Sequence, residues 1–120
     1  MAPLYLRRKK MKSKIIAVDF DGTLCTNRYP EIGFGNCELI HYLKEQQEYG
    51  AKIILWTCRV GQLLDNAVAW CNDMGLTFDA VNENLPEIIE AFGSDTRKIF
   101  ANEYIDDLAS DRFDLPFEKC

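Results

Sequence analysis

Short runs of apolar residues alternate with longer amphipathic segments along the chain. The run Ile15–Phe20 is typical of a buried strand of a parallel sheet, because it is short, rich in β-branched residues and followed by charged residues and a glycine. Similar patterns predict four strands in all: Ile15–Phe20, Lys52–Thr57, Phe78–Val81 and Ile99–Ile105. Apolar residues at helical spacing predict three helices between them: Glu38–Tyr49, Leu63–Met74 and Pro86–Phe92.

Residues that start or stop helices flank these segments. Asn36 can cap the first helix and Gly50 can end it, while Pro86 suits the first turn of the third helix. The segment Asn27–Asn36 contains one proline and two glycines and is predicted to be a loop. Strands that alternate with helices imply parallel pairing and right-handed connections. The predicted fold class is therefore α/β, a Rossmann-like three-layer sandwich with a central, mostly parallel sheet.

The chain is 120 residues long, which fits one domain. We predict a basic N-terminal extension over residues 1–13 and a single domain over residues 14–120. The net charge of −5 gives no overall attraction for nucleic acid or anionic lipid, so we do not expect nucleic acid as a partner. The extension is either a tail for nucleic acid or a membrane surface, or a solvated segment ahead of the first strand, and we favour the second interpretation.

The chain has neither a secretory signal pattern nor an apolar run of the roughly 20 residues that a membrane span needs. Its five cysteines are odd in number and show no zinc-ligand spacing. We therefore expect reduced thiols in a cytoplasmic protein that has no membrane partner. Cys25 lies just after the segment Ile15–Thr23 and Cys58 just after the second predicted strand, so both are either redox-active thiols or small buried apolar residues, and we favour the second interpretation.

Polar side chains follow the ends of three predicted strands. Asp19 and Asp21 end the first strand, Thr57 ends the second, and Asp106 and Asp107 follow the fourth. Since ligands of open α/β sheets bind outside the carboxyl ends of the strands, we expect these groups to meet at one edge, with Lys98 reaching over from nearby. Carboxylates that converge repel one another, so we expect a bound cation among them. Mg²⁺ fits this expectation because it prefers oxygen ligands.

A phosphate monoester approaching such a site would also be balanced by the metal and a lysine. Asp19 could then attack phosphorus and form an aspartyl-phosphate. Asp21, two residues further along an extended strand, faces the same way and could protonate the leaving oxygen and later deprotonate water.

These residues resemble the motifs of the haloacid dehalogenase (HAD) superfamily over roughly residues 14–111. Asp19–Thr23 (DFDGT) is similar to its first motif, and Thr57 at a strand end to its second. Lys98 is similar to its third motif, and Asp106-Asp107 followed by Asp111 to its fourth.

The resemblance implies catalytic roles for Asp19 as nucleophile, Asp21 as acid and base, Thr57 as a phosphoryl contact and Lys98 as the group that neutralises Asp19 and the phosphate. It also implies a Mg²⁺ cofactor bound by the Asp19 side chain and the Asp21 backbone carbonyl. For the remaining metal ligand Asp107 is favoured over Asp106, because many members carry glycine at the position of Asp106. Asp111 would contact the metal through a water molecule or through one of its ligands rather than directly.

Superfamily members carry cap domains after the first motif or between the second and third. Neither interval of this chain has room for one, so the chain resembles a capless member. The loop Asn27–Asn36 is the natural flap over the site, and its Tyr29, Ile32 and Phe34 either contact substrate or anchor the loop.

Arg59 is either a second phosphate contact or part of a surface ion pair. Trp56 and Trp70 are both expected in the core.

The sequence thus predicts a Mg²⁺-dependent phosphohydrolase that acts on a phosphate monoester of unknown class. Two alternatives remain open at this point. One is a phosphatase for a phosphoprotein or a nucleic-acid end, suggested by the open site and the basic extension. The other is a catalytically silent binding protein with the same fold, and a homo-oligomer is possible in each case.

Overall fold

A computed structural model describes residues 14–106 of the chain. The predicted extension over residues 1–13 lies outside this range, as do Asp107 and Asp111. Four strands are present in the described range: β1 (Ile15–Val18), β2 (Lys52–Leu55), β3 (Ala80–Val81) and β4 (Glu103–Ile105). Three helices lie between them: α1 (Cys37–Glu48), α2 (Gly61–Asp73) and α3 (Pro86–Phe92). Every predicted element is therefore found, in the predicted order.

The four strands form one sheet in the order β3-β2-β1-β4, and every pairing is parallel. The prediction of an α/β fold with a parallel sheet is confirmed. Val18 pairs with Leu55 of β2 on one side and with Ile105 of β4 on the other. The three strands therefore end level with one another, and the residues that follow them emerge at a common edge.

Two apolar clusters cover the two faces of the sheet. On one face, α1 and α2 contribute Leu39, Leu43 and Cys71 to a cluster with alternate strand residues. On the other face, Leu85 and Ile88 from the α3 region pack on the intervening strand residues. Burying each such leucine or isoleucine contributes roughly 1.5–3 kcal/mol before entropy is subtracted. The helices thus occupy both sides of the sheet.

Local signals in the sequence set the helix ends, and the predicted cap at Asn36 is confirmed. The Asn36 side chain accepts a hydrogen bond of 3.2 Å from the backbone N–H of Leu39, which caps α1. Gly93 ends α3 in the left-handed region at a φ of 78°, where a side chain would be strained. Within residues 14–106, none of the helices combines the length and the apolar character needed to cross a membrane.

The fourth strand is shorter than the predicted Ile99–Ile105, because the backbone groups of residues 99–101 form hydrogen bonds with side chains rather than with the neighbouring strand β1. The backbone N–H of Phe100 donates to Asn84 Oδ1 at 2.7 Å, and that of Ala101 donates to the Tyr104 hydroxyl at 3.2 Å. Backbone pairing with β1 begins at Asn102, whose N–H donates to the Ile15 carbonyl at 2.8 Å.

Candidate active site

The carboxyl edge of the sheet brings Asp19 and Asp106 side by side. Pairing continues one residue beyond β1, since the Asp19 N–H donates to the Ile105 carbonyl at 3.0 Å. Asp106 is the next residue of the neighbouring strand. Paired residues of a parallel sheet lie about 4.8 Å apart and face the same side. Two carboxylates are therefore neighbours at this edge, and both side chains are half-buried.

Asp21 is held by Arg59 through a two-pronged ion pair. Arg59 Nε lies 2.8 Å from Asp21 Oδ2, and Arg59 Nη2 lies 2.7 Å from Asp21 Oδ1. The Arg59 side chain is only 1% exposed, and that of Asp21 is 18% exposed. The hydrogen bonds to Asp21 raise the pKa of the Arg59 guanidinium above its ordinary value, which outweighs the effect of burial. A permanently charged fork thus fixes both oxygens of the Asp21 carboxylate.

Arg59 also holds the loop that precedes α1. Its Nη1 donates to the Pro30 carbonyl at 3.1 Å, and its Nη2 donates to the Glu31 carbonyl at 2.9 Å. The guanidinium lies between two rings, 5.0 Å from the centroid of Phe20 and 5.2 Å from that of Tyr29. Of the two interpretations of Arg59, the ion pair is the one found, although the pair is buried rather than at the surface. All five guanidinium N–H groups donate within residues 14–106, so none is left for a phosphate contact in this arrangement.

Asp21 reaches this position through a tight turn after β1. The Phe20 carbonyl accepts from the N–H groups of Thr23 and Leu24 at 3.1 and 2.9 Å. Gly22 has a φ of 81°, a region that L-residues with side chains avoid. The sequence Asp-Gly-Thr therefore turns the chain directly after the strand and leaves Asp21 at the edge of the sheet.

The loop Asn27–Asn36 closes back on Thr26. The Thr26 N–H donates to the Phe34 carbonyl at 2.8 Å, and the Phe34 N–H donates to Thr26 Oγ1 at 2.9 Å. Ile32 packs against the core, so it is an anchor, whereas Tyr29 and Phe34 are 58% and 47% exposed. A cavity of about 400 Å³ lies between this loop and the end of α2, lined in part by Arg28, Glu31 and Trp70.

Replacing Gly33 by alanine is expected to disrupt this loop. A Cβ at Gly33 would lie 1.9 Å from Thr26 Oγ1 and 2.5 Å from the Thr26 carbonyl oxygen, so backbone atoms must move. Overpacking of this kind typically costs about 1–3 kcal/mol, which urea unfolding would measure. Gly93→Ala gives the opposite case for comparison, because its Cβ meets nothing within 4 Å but its φ of 78° is strained, so its loss reports backbone strain without overpacking. A Gly33→Ala protein with unchanged stability and unchanged loop chemical shifts would contradict the expectation.

Thr57 lies where the ends of β2 and β3 meet Arg59. Its N–H donates to Asn82 Oδ1 at 2.7 Å, and its hydroxyl oxygen accepts from the Arg59 N–H at 3.1 Å. Asn82 adopts a φ of 56°, which asparagine tolerates better than most residues. The hydroxyl proton of Thr57 remains available to donate, because the oxygen acts as the acceptor in the bond to Arg59. Sequence reasoning missed Asn82, although an asparagine directly after a strand is a recognisable turn signal.

Lys98 lies in the segment between α3 and β4, next to Ile99, whose side chain packs on the α3 face of the sheet. The Lys98 side chain is exposed and lines a cavity of about 360 Å³ that also includes Phe92 and Tyr104. No ion pair joins Lys98 to a carboxylate of residues 14–106. The expected action of Lys98 on Asp19 therefore stays a prediction.

Asn84 organises the segment that carries Lys98 and was not anticipated from the sequence. Its side-chain amide nitrogen donates to Asp95 Oδ1 at 2.8 Å and to the Thr96 carbonyl at 3.2 Å, and its oxygen accepts from the Phe100 N–H. The Thr96 hydroxyl then donates to the Lys98 carbonyl at 2.8 Å. Asn84 is fully buried, so these bonds fix the path of the chain ahead of β4.

The expected metal ligands are only partly within the described residues. Asp107, the favoured ligand, lies outside them, and residues 14–106 contain no group of three or more histidine, cysteine or acidic side chains arranged to hold a metal. Because both Asp21 carboxylate oxygens are bound to Arg59, the backbone carbonyl is the remaining Asp21 donor. With the carboxylates of Asp19 and Asp106 this gives a set of hard oxygen donors, which fits Mg²⁺.

Several expectations for individual side chains are corrected by the structure. Trp56 is 43% exposed rather than buried, whereas Trp70 packs edge-on against Phe20 at 5.7 Å between ring centroids. Cys58 is exposed, while Cys25 is buried as predicted. Burial likewise raises the pKa of Cys71 to about 12. Among the described cysteines, Cys25, Cys58 and Cys71 are free thiols, as predicted.

The described chain is thus an α/β protein whose parallel sheet carries acidic and hydroxyl side chains at its carboxyl edge. It is similar to a solved structure of a conserved protein from Bacteroides thetaiotaomicron, with 43% identity and a TM-score of 0.70. The similarity covers 79% of this chain and 76% of that one, so the chain belongs to the same family as that conserved protein. No protein-family model matches the chain, and no curated protein matches it.

Proposed function

We propose that the protein is a capless HAD-type phosphohydrolase that cleaves a phosphate monoester in the presence of Mg²⁺. The observation that carries the proposal is the arrangement around Asp19 and Asp21 at the carboxyl edge of the parallel sheet. Arg59 fixes the Asp21 carboxylate in one orientation, and Thr57 presents a hydroxyl next to Arg59. Such strand-end positions are where α/β proteins bind ligands.

The proposed reaction has two steps that balance in atoms and protons. Because the Asp21 carboxylate is ion-paired with Arg59 at rest, the cycle begins when Asp21 takes up a proton from solvent. An oxygen of Asp19 then forms a bond to phosphorus while the ester P–O bond breaks, and the leaving oxygen takes that proton from Asp21. Water then attacks phosphorus and gives a proton to Asp21. Inorganic phosphate leaves and the Asp19 carboxylate is restored.

The remaining groups orient the phosphoryl group or balance its charge. Thr57 would donate its hydroxyl proton to a phosphoryl oxygen, while its own oxygen stays bound to the Arg59 N–H. Lys98 would contribute positive charge from the α3 side of the sheet. Whenever Asp21 is ionised, Arg59 stabilises its carboxylate and holds it in one orientation through two hydrogen bonds.

The residues that would hold Mg²⁺ are the Asp19 carboxylate, the Asp21 backbone carbonyl and a carboxylate of Asp106 or Asp107. A bound Mg²⁺ would reduce the repulsion between the substrate anion and the Asp19 carboxylate. Oxygen donors of this kind suit a hard divalent cation.

A phosphate-release assay with the purified full chain tests the proposal. We expect release of inorganic phosphate from an aryl phosphate with Mg²⁺, and loss of that release when excess EDTA removes the metal. Restoring Mg²⁺ should restore the rate, which controls for irreversible damage by the chelator. Absence of release across a broad panel of phosphate esters, with Mg²⁺ binding shown by calorimetry, would overturn the proposal and favour a binding protein.

A further inference from the structure

Trp56 lies beside Asp19 at the carboxyl edge of the sheet. Its backbone N–H donates to the Val18 carbonyl at 2.8 Å, so pairing of the first two strands continues one residue past Leu55. Val18 and Leu55 are register partners, which makes Trp56 the neighbour of Asp19 in the next position. Neighbours across a strand pair are about 4.8 Å apart at their backbones, within reach of one side chain.

Trp56 and Asp19 also face the same side of the sheet. Ile54 and Ala17, two residues earlier on each strand, both belong to the cluster on the α3 face. Because side chains alternate along a strand, the residues two positions further on project to that same side. The tryptophan position thus adjoins the carboxylate that we propose as nucleophile.

The exposure of Trp56 is unusual for its position after a buried strand. The residues before it, Ile53, Ile54 and Leu55, are fully buried, whereas Trp56 is 43% exposed. Tryptophan is highly buried on average, and it is enriched at binding interfaces, where its ring meets apolar surface while its N–H stays hydrated. Tyr29 is also exposed, but its ring already lies over the Arg59 guanidinium.

We propose that Trp56 forms a stacking surface for the leaving group, and that the substrate carries a planar ring close to its phosphate. The ring must lie close because Trp56 is the direct neighbour of Asp19, where phosphorus would bind. Stacking on an indole face tolerates many ring types, which fits an aryl ester or another flat heterocyclic group. This inference rests on the proposed phosphohydrolase function.

The test compares kcat/KM for phenyl phosphate and for glycerol phosphate in the wild type and in Trp56→Ala. We expect the aryl ester to lose about tenfold more than the alkyl ester, the size of one lost ring stack. Aryl esters are intrinsically more reactive than alkyl esters. We therefore compare, for each ester, the ratio of kcat/KM in the wild type to that in Trp56→Ala, from which this difference in reactivity cancels. Trp56→Phe should restore most of the difference, because it keeps an aromatic face.

Tyr49→Ala is the matched control. Tyr49 is an 80% exposed aromatic residue that follows α1 and precedes β2, at the opposite edge of the sheet. We expect the ratio of the two rates to be unchanged in this variant. Equal losses for both esters in Trp56→Ala, or no loss for either, would overturn the stacking role. A change from dimer to monomer in Trp56→Ala would also overturn it, since Trp56 would then belong to an interface.

A binding measurement separates failure of this inference from failure of the proposed function. Phenylphosphonate and methylphosphonate resemble the two esters but cannot be hydrolysed at a P–O ester bond. We expect phenylphosphonate to bind more tightly to the wild type and to lose that advantage in Trp56→Ala. If the wild type hydrolyses neither ester but shows this binding preference, the ring site stands and the hydrolase proposal fails. If the wild type hydrolyses the esters but binds the two phosphonates equally, the hydrolase proposal stands and the stacking role of Trp56 fails.

Discussion

Replacing Asp19 by asparagine is expected to abolish phosphate release. An asparagine side chain has nearly the shape of aspartate but no anionic oxygen that can attack phosphorus. Removing the nucleophile of a covalent mechanism typically costs more than about 10³-fold in kcat, because the remaining groups act only through it. The Asp19 backbone bond to Ile105, at 3.0 Å, does not depend on the side chain, so we expect the fold to be retained.

The measurement is kcat for an aryl phosphate at saturating Mg²⁺, with unfolding in urea as the check on folding. Asp19→Ala should be assayed in parallel, because an asparagine can revert to aspartate by deamidation. Asp65→Asn, which alters an exposed carboxylate on α2, is the matched control and should retain full activity. Rapid acid quenching with a labelled substrate should trap phosphate on the wild type and not on Asp19→Ala. Substantial activity in both Asp19 variants would rule out the covalent role.

The sequence predicted the sheet edge well because the signals involved are local. Each strand can be predicted from its own apolar run. Parallel pairing of neighbouring strands then places the residues that follow β1 and β4 side by side. Asp19 and Asp106 could therefore be placed at one edge from the pattern alone. The cap at Asn36 was equally predictable, because an N-cap depends on bonds within one turn of the helix.

The sequence could not predict which polar residues are buried, because their partners are distant in the chain. Arg59 is enclosed because Asp21, 38 residues earlier, and the carbonyls of Pro30 and Glu31 satisfy its donors. Asn84 is likewise buried through contacts 11 to 16 residues later. An isolated arginine or asparagine in a sequence carries no sign of such partners, so exposure was the natural expectation.

The prediction that Trp56 lies in the core is wrong for a different reason than the predictions for buried polar residues. The apolar run Lys52–Thr57 has no internal feature that shows where cover by the helices stops. The residues Ile53, Ile54 and Leu55 are fully buried, whereas the side chain of Trp56, one position further at the carboxyl edge, is 43% exposed. A buried strand and its exposed continuation therefore look alike in sequence when both are apolar.

Replacing Arg59 by methionine is expected to give the largest loss of stability of the variants considered. The change leaves the Asp21 carboxylate and the Pro30 and Glu31 carbonyls without their donor, and removes the cation between the Phe20 and Tyr29 rings. Breaking a buried ion pair by removing one partner costs about 3–5 kcal/mol. We expect the lower end, about 3 kcal/mol, because the 18% exposed Asp21 can gain water. The melting temperature should then fall by about 10 °C.

Three further variants show whether the ion pair itself is responsible for that loss. Arg28→Met removes an exposed arginine of the same loop and should change the free energy of unfolding by less than about 0.5 kcal/mol. Arg59→Lys keeps a charge but not the fork, so it should fall between the wild type and Arg59→Met. The double variant Asp21→Asn with Arg59→Met should be more stable than Arg59→Met alone, since no unpaired carboxylate remains. If the double variant is instead less stable, the loss arises from packing around Phe20 and Tyr29. If the pair is responsible, Arg59 links the proposed acid–base group to the loop Asn27–Asn36, and variants of Arg59 should lower kcat even at temperatures where they remain folded.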